Sequence, residues 1–356
     1  MSFGNKATLN TGAQISTLGY GTWRSGPGEV GQGVYETLKA GYRHLVCPHL
    51  IDPMVATAVK QADSRSLRIS PSYGNQVEVG EGLHKALKEI PGLKREDIFI
   101  VSVNRISKLW NTHHHPKDVE PALDDTLKEL KLTYLDLYLI HWPVAFKRVK
   151  ETDLFPKVAE GVNEVAIDDS VSLVETWEAM TKLTKSKARA IGVSNFTPEH
   201  LQTIIKAINV VPAVNQVERH PLLQQNGTII KYAKENGIHI TAFSAFGNNS
   251  NNEPLLIEND TIREIGAKIA ANPAQVILVW SQVGGHSVIP KSVTPSRIRS
   301  NFEEIKLSEE DIAAINKLGE KPKRFNVATN YNPKWDINIW DEAAEQGAKY
   351  KVIQKK

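Results

Sequence analysis

Leu135-Asp136-Leu137-Tyr138-Leu139-Ile140-His141-Trp142-Pro143 brings an imidazole and an indole together at the end of an apolar run. Leu135 to Ile140 is almost continuously apolar, as a strand covered on both faces should be. Pro143 has no amide to donate, so the strand stops at His141 and Trp142. In parallel α/β proteins the carboxyl ends of strands are where ligands bind and chemistry is done. A core histidine beside a packing tryptophan is the competing reading, and the rest of the chain decides between them. Two other histidine groups invite a metal reading. His44, Cys47, His49 and Asp52 are spaced like soft-metal ligands, and His113-His114-His115 is a run in a loop. No second Cys or His cluster completes either set, so no metal is assigned and the triple histidine is expected to be an exposed polar turn.

Short apolar runs alternate with longer amphipathic ones along the chain. A turn at Asn10-Thr11-Gly12 between two short alternating runs predicts a β-hairpin over Ala7–Ile15. Strands are predicted at Leu18–Gly21, Tyr42–Leu45, Ile98–Ser102, the His141 stretch, Ala188–Val193, Ala213–Val217, Ile238–Phe243 and Ser287–Ile289. Helices follow at Val30–Ala40, Val77–Glu89, Val119–Leu130, Val171–Leu183, Pro198–Ile208, Thr228–Asn236, Pro273–Gln282 and from Pro295 to Phe302. Thr197 before Pro198 is an N-cap followed by N1, and Ser308 with Asp311 is a capping-box variant. Eight strand–helix units, with no linker poor in apolar residues between halves, predict a (β/α)8 barrel as one domain over residues 1–356. A doubly wound open sheet is weaker, because the glycines of Trp23-Arg24-Ser25-Gly26-Pro27-Gly28 do not have dinucleotide-fingerprint spacing.

With 41% apolar and 23% charged residues, the chain has an ordinary globular composition. A net charge of +3 is too small and too evenly spread to argue for nucleic acid or anionic membrane. No signal-peptide core follows Met1 and no apolar run approaches a membrane span, while the single cysteine, Cys47, suits a reducing compartment. A cytoplasmic protein, monomeric or a weak dimer, is the expectation.

Read at its strand ends, the chain resembles the aldo-keto reductases, and among them the fungal aldehyde, xylose and glycerol-type reductases. The likeness runs from Leu9 to about Lys334. It is carried by Leu18-Gly19-Tyr20-Gly21-Thr22-Trp23, Ala40-Gly41-Tyr42-Arg43-His44, Tyr73-Gly74-Asn75 with Glu78-Val79-Gly80, and Lys108-Leu109-Trp110-Asn111. Leu135 to Pro143, Gly192-Val193-Ser194-Asn195-Phe196, Asn215-Gln216-Val217-Glu218 and Ile289-Pro290-Lys291-Ser292 complete it. The family fold is a (β/α)8 barrel, in agreement with the strand count.

The resemblance implies reduction of small aldehydes, aldoses or polyol-derived carbonyls, with Tyr73 as the acid, Lys108 as the group that acidifies it and His141 as the donor that orients the carbonyl. A phenol with a reference pKa near ~10 is a poor acid at neutral pH unless a nearby ammonium stabilises the phenolate. Trp23, Trp110 and Trp142 would wall the substrate cleft with His141. For the cofactor, Ser194, Asn195 and Gln216 match the carboxamide-binding side chains and Phe243 the stacking aromatic. Ser244 and Gly247 match the pyrophosphate loop, and Thr22 is placed with the cofactor too. Lys291, Ser292 and Arg297 match the group that holds an adenosine 2′-phosphate, and Asn301 an adenine contact, although Ser300 replaces the more usual acid. Two cations and a hydroxyl favour NADPH over NADH.

Two departures touch the proton-transfer half. The family's aspartate should stand just after His44-Leu45, where this chain has Val46, and an atypical insertion, Val46–Ser72, then precedes Tyr73. A second, shorter insertion, Val103–Ser107, precedes Lys108. Loss of the carboxylate leaves the lysine charge uncompensated, a costly arrangement in a buried site. A catalytically impaired NADP(H)-binding barrel is the alternative reading of the function. Val46-Cys47 can be encoded by a run matching a fungal intron donor and Ala62-Asp63 by one matching a branch point, so a retained intron is one account of the longer insertion. Residues 335–356 are expected to form a variable tail that helps close the substrate pocket.

Overall fold

The computed structural model describes residues 5–22, 25–26, 28–47, 76–102, 109–150, 153–247 and 254–355. Tyr73, Lys108 and Trp23 lie outside the described residues, as does the insertion beyond Cys47.

A hairpin of β1 (Lys6–Thr8) and β2 (Gln14–Ser16) opens the chain. Eight parallel strands follow: β3 (Tyr20–Gly21), β4 (His44–Cys47), β5 (Phe99–Ser102), β6 (Leu137–Ile140), β7 (Ile191–Ser194), β8 (Val214–Glu218), β9 (His239–Phe243) and β10 (Ser287–Val288). Each pairs with the next in sequence order. The two ends meet, because Leu18 bridges Val288 in parallel and the amides of Gly19 and Gly21 donate to Val288 O at 2.8 Å and Pro290 O at 2.9 Å. The sheet is therefore a closed (β/α)8 barrel, which leaves no edge for another chain to extend.

Alternation along each strand sends side chains either inward or toward the helices. In β4, Leu45 and Cys47 join the helix-facing core, while Val46 joins an interior layer with Val101, Leu137 and Leu139. Leu9 and Ile15 of the hairpin belong to that interior cluster and close its amino-terminal end. The expected strand Tyr42–Leu45 is shifted: Val46 and Cys47 lie within β4, paired with Val101 and Ser102. A β-branched, fully buried residue completes the ladder there, so the first two residues of the Val46–Ser72 segment belong to β4.

Helix boundaries follow local chemistry closely. Pro198–Ile208 and Pro273–Gln282 begin at a proline after capping Thr197 and Asn272, whose side chains accept the amides of His200 at 3.3 Å and Gln275 at 2.9 Å. The helix expected from Val119 starts three residues earlier, at Pro116, whose fixed φ suits a first turn. The Thr228–Asn236 helix is shorter than expected, Lys231–Glu235 after a π-helical turn. One helix missing from the eight-unit reading, Asp260–Lys268, has legible signals: an Asn259 cap and Ile262, Ile265 and Ile269 on one face. Gly82 is required where two helices cross, since a Cβ there would collide with the carbonyl oxygen of Gly31. Among the described residues, no helix is long and apolar enough to cross a membrane.

Candidate active site

The carboxyl ends of the strands lie on one face, and among the described residues those of β6 to β10 carry or precede expected site residues, with Thr22 after β3. His141 follows β6 directly, half-buried, its ring 5.2 Å from Trp110 and 6.1 Å from Trp142. Trp110 is brought there by a parallel bridge between Leu109 and Ile140. Asn195, just past β7, has a left-handed backbone at φ 66°, which asparagine tolerates better than most residues. That turn directs its amide so that Nδ2 donates to His141 O at 3.0 Å and to Ser194 Oγ at 3.3 Å. Ser194 Oγ in turn donates to Gln216 O at 2.8 Å, and Asn195 N to the same oxygen at 2.9 Å. Ser194, Asn195, Gln216 and His141 thus form one hydrogen-bonded unit across three adjacent strand ends.

The next two strand ends continue around the rim. Phe243 ends β9, and Ser244 has φ 53°. The amide of Gly247 donates back to Ser244 O at 2.9 Å, closing a tight turn in which Gly247 itself has φ 76°. After β10, Ser292 O accepts the Tyr20 hydroxyl at 2.7 Å and Ser292 Oγ accepts the Thr294 amide at 3.1 Å. Lys291 is half-buried, and its burial lowers the ammonium pKa against the opposing pull of Glu29. Arg297 is exposed within the short helix Pro295–Ser300, and Asn301 is buried at its carboxyl cap. Side-chain amides and a hydroxyl suit a carboxamide, the Phe243 ring can stack, and a partly desolvated Lys291 gains from a phosphate. The donor set therefore fits a phosphorylated dinucleotide. Thr22 is buried, its amide bonded to Val46 O at 3.1 Å.

A wall of aromatic rings stands over His141; the sequence named Trp110 and Trp142 of it and expected a tail from residue 335 to help close the pocket, without naming its rings. Trp335 is 2% exposed, 5.2 Å from Trp142, 6.2 Å from Trp110 and 4.8 Å from Phe146. Phe155, Tyr331 and Trp340 complete the cluster, Trp340 at 5.8 Å from Trp142. The indole N–H of Trp110 donates to Leu154 O at 2.9 Å, so this ring is oriented by the long loop after β6. That loop is bound to the tail by Val165 N to Lys334 O at 2.9 Å and Lys334 N to Asn163 O at 3.0 Å. The spacing of Tyr331, Trp335 and Trp340 and the unusual length of the loop were the available signals.

The triple histidine is not an exposed turn. His113 and His114 are buried under the helix Leu173–Thr181, whose Thr176 hydroxyl donates to His114 O at 2.8 Å, and His115 pairs with Asp168 at 3.0 Å. Burial pushes the His114 imidazole down to about 3. Polar residues in a loop do not stay exposed when a later helix packs over them. His44 is also buried, with Nδ1 at 3.0 Å from Ser16 O, which fixes the proton on that nitrogen, and its pKa is pushed down to about 4 mainly by desolvation. Burial likewise raises the thiol pKa of Cys47, although the Arg95 charge opposes the shift.

Comparison with known proteins assigns this architecture. Residues 17–320 match the Aldo/keto reductase family, and the chain belongs to that family of NADP(H)-dependent oxidoreductases. It is 54% identical over 361 aligned residues to the D/L-glyceraldehyde reductase of Hypocrea jecorina, covering 100% of both chains. It is 38% identical over 349 residues to the NADPH-dependent D-xylose reductase of Meyerozyma guilliermondii, covering 94% of this chain and 98% of the other. The solved aldose reductase of Schistosoma japonicum superposes with a TM-score of 0.75 at 35% identity, covering 91% and 95% of the two chains.

Proposed function

We propose that this chain reduces small aldehydes, aldoses or polyol-derived carbonyls to alcohols, with NADPH as the electron donor. The observation that carries the reading is the Asn195 bridge, which ties the side chains suited to a carboxamide to the strand end bearing His141. When bound, the nicotinamide supplies a hydride to the carbonyl carbon. His141 orients the carbonyl oxygen, Tyr73 gives its phenolic proton to the developing alkoxide, and Lys108 lowers the pKa of that phenol. Trp23, Trp110 and Trp142 exclude water and offer flat apolar surface to a short substrate. Lys291, Ser292 and Arg297 hold the 2′-phosphate, and Asn301 lies against the adenine.

A second reading, a barrel that binds NADP(H) but turns over poorly, is favoured by one observation. Val46 is buried in an apolar layer with Val101 and Leu137, where the resemblance calls for a carboxylate. Oxidation of NADPH and NADH against glyceraldehyde, xylose and an apolar aldehyde separates the two. Turnover with NADPH preferred supports reductase function, whereas cofactor fluorescence quenching without oxidation supports the second reading. Removing both Lys291 and Arg297 side chains should weaken NADPH binding by roughly 10- to 100-fold, the worth of one or two charge-assisted bonds, and leave NADH binding unchanged.

A further inference from the structure

The β8 strand ends on Glu218, whose side chain is fully buried. Its two oxygens accept the backbone amides of Phe325 at 2.8 Å and Asn326 at 3.0 Å. His220 Nε2 lies 3.0 Å from Oε1 and must carry the proton, because a carboxylate only accepts. Burial alone would raise the carboxyl pKa, but the His220 bond, the charges of His220 and Arg324, and the Phe325 amide hold it below the ordinary range. The acid is therefore an ionised anchor for a segment more than a hundred residues away in sequence.

That segment has two ends with different business. On one side, Asn326 Nδ2 donates to Ser244 Oγ at 3.2 Å, and Phe325 packs where a Cβ on Gly247 would meet its ring at 3.1 Å. On the other, Arg324 makes a forked pair with Glu342 at 2.8–3.0 Å and lies 4.0 Å over the Trp340 ring, which rests on Trp142 beside His141. We propose that Glu218 is a positioning residue, and that through residues 324–326 it joins the Ser244–Gly247 turn and the aromatic wall over His141 into one mechanical unit. The proposal rests on the functional reading above: ordering of the turn by the dinucleotide then orders the wall that receives the carbonyl compound. A bidentate acceptor is needed because the two amides are adjacent and point to separate oxygens. Glutamine offers one acceptor and sets an N–H against the other amide.

Hydrogen exchange on the full chain tests this without requiring turnover. In the absence of cofactor, Glu218→Gln should speed exchange at least about tenfold both in residues 244–247 and in residues 335–340. Acceleration confined to Phe325 and Asn326 would overturn the proposal. Asn326→Ala, which removes only the side-chain bond to Ser244, serves if Glu218→Gln does not fold, and the same paired acceleration is expected of it. Addition of NADPH to the native protein should slow both segments together. Protection of the 244–247 turn alone would overturn the coupling, whereas no protection anywhere would overturn the cofactor reading and leave the cofactor-free comparison to decide the role of Glu218. If the native chain turns over, Glu218→Gln should raise the KM for aldehyde about tenfold with kcat altered less than about threefold.

Discussion

Trp335→Ala probes the aromatic wall most directly. The residue is 2% exposed and has five ring neighbours, Trp110, Trp142, Phe146, Phe155 and Tyr331, at centroid distances of 4.8 to 6.4 Å. Truncating a buried tryptophan removes transfer free energy and leaves a cavity, together about 3–5 kcal/mol. Unfolding entropy of about 2.1 cal/mol/K per residue gives a chain of this length roughly 0.75 kcal/mol/K. The melting temperature should therefore fall by roughly 4–7 °C if the tail unfolds with the barrel. The same truncation loosens Trp110 and Trp142 on either side of His141, so KM for a short aldehyde should rise while a bulkier aromatic aldehyde gains entry. Trp335→Phe should recover most of both effects. Thermal unfolding followed by circular dichroism, with NADPH oxidation on the two aldehydes, measures them. A melting shift below about 1 °C together with unaltered KM values would refute the claim that this residue organises the wall.

Replacing Val46–Ser72 with a short loop carrying an aspartate at the first position should raise NADPH oxidation, because it restores the carboxylate that the family resemblance pairs with the lysine; equal activity of the two proteins would sink that expectation. Transcript sequencing across the segment checks its origin, since a mature message that still encodes Val46–Ser72 excludes a retained intron. Acid should destabilise the fold early. His44 and His114 have folded pKa values of about 4 and about 3, below the ~6.5 of the unfolded chain, so the unfolded state takes up protons first as pH falls below that value. The pair should cost on the order of 3 kcal/mol per pH unit between about pH 6 and pH 4, and urea midpoints for His114→Gln should show about half that slope from these sites.

What could be read from sequence was whatever depends on neighbours in the chain. Proline-initiated, capped helices at Pro198–Ile208 and Pro273–Gln282 have the expected bounds, because caps and first-turn prolines act within a few residues. The eight strands were legible from apolar runs, and in a parallel barrel a strand end is also a site position, which singled out His141, whereas Ser194, Asn195, Gln216 and Phe243 were expected only from the family resemblance. Val46 was identified as a departure, but its place inside β4 needed the ladder with Val101. The rest was decided by segments that meet only after folding. The family resemblance led to the expectation of a tail over the pocket, but local patterning around Tyr331, Trp335 and Trp340 does not say that they pack on Trp110 and Trp142. Burial of His113 and His114 depended on a helix some sixty residues later. Glu218 reads locally as one more polar residue at a strand end, and only the arrival of the Phe325 and Asn326 amides makes it an anchor. Local patterning is short-ranged and set the barrel with its rim of polar strand ends, whereas closure over that rim depends on which distant groups satisfy buried hydrogen bonds and fill apolar space, and tertiary packing alone made that choice.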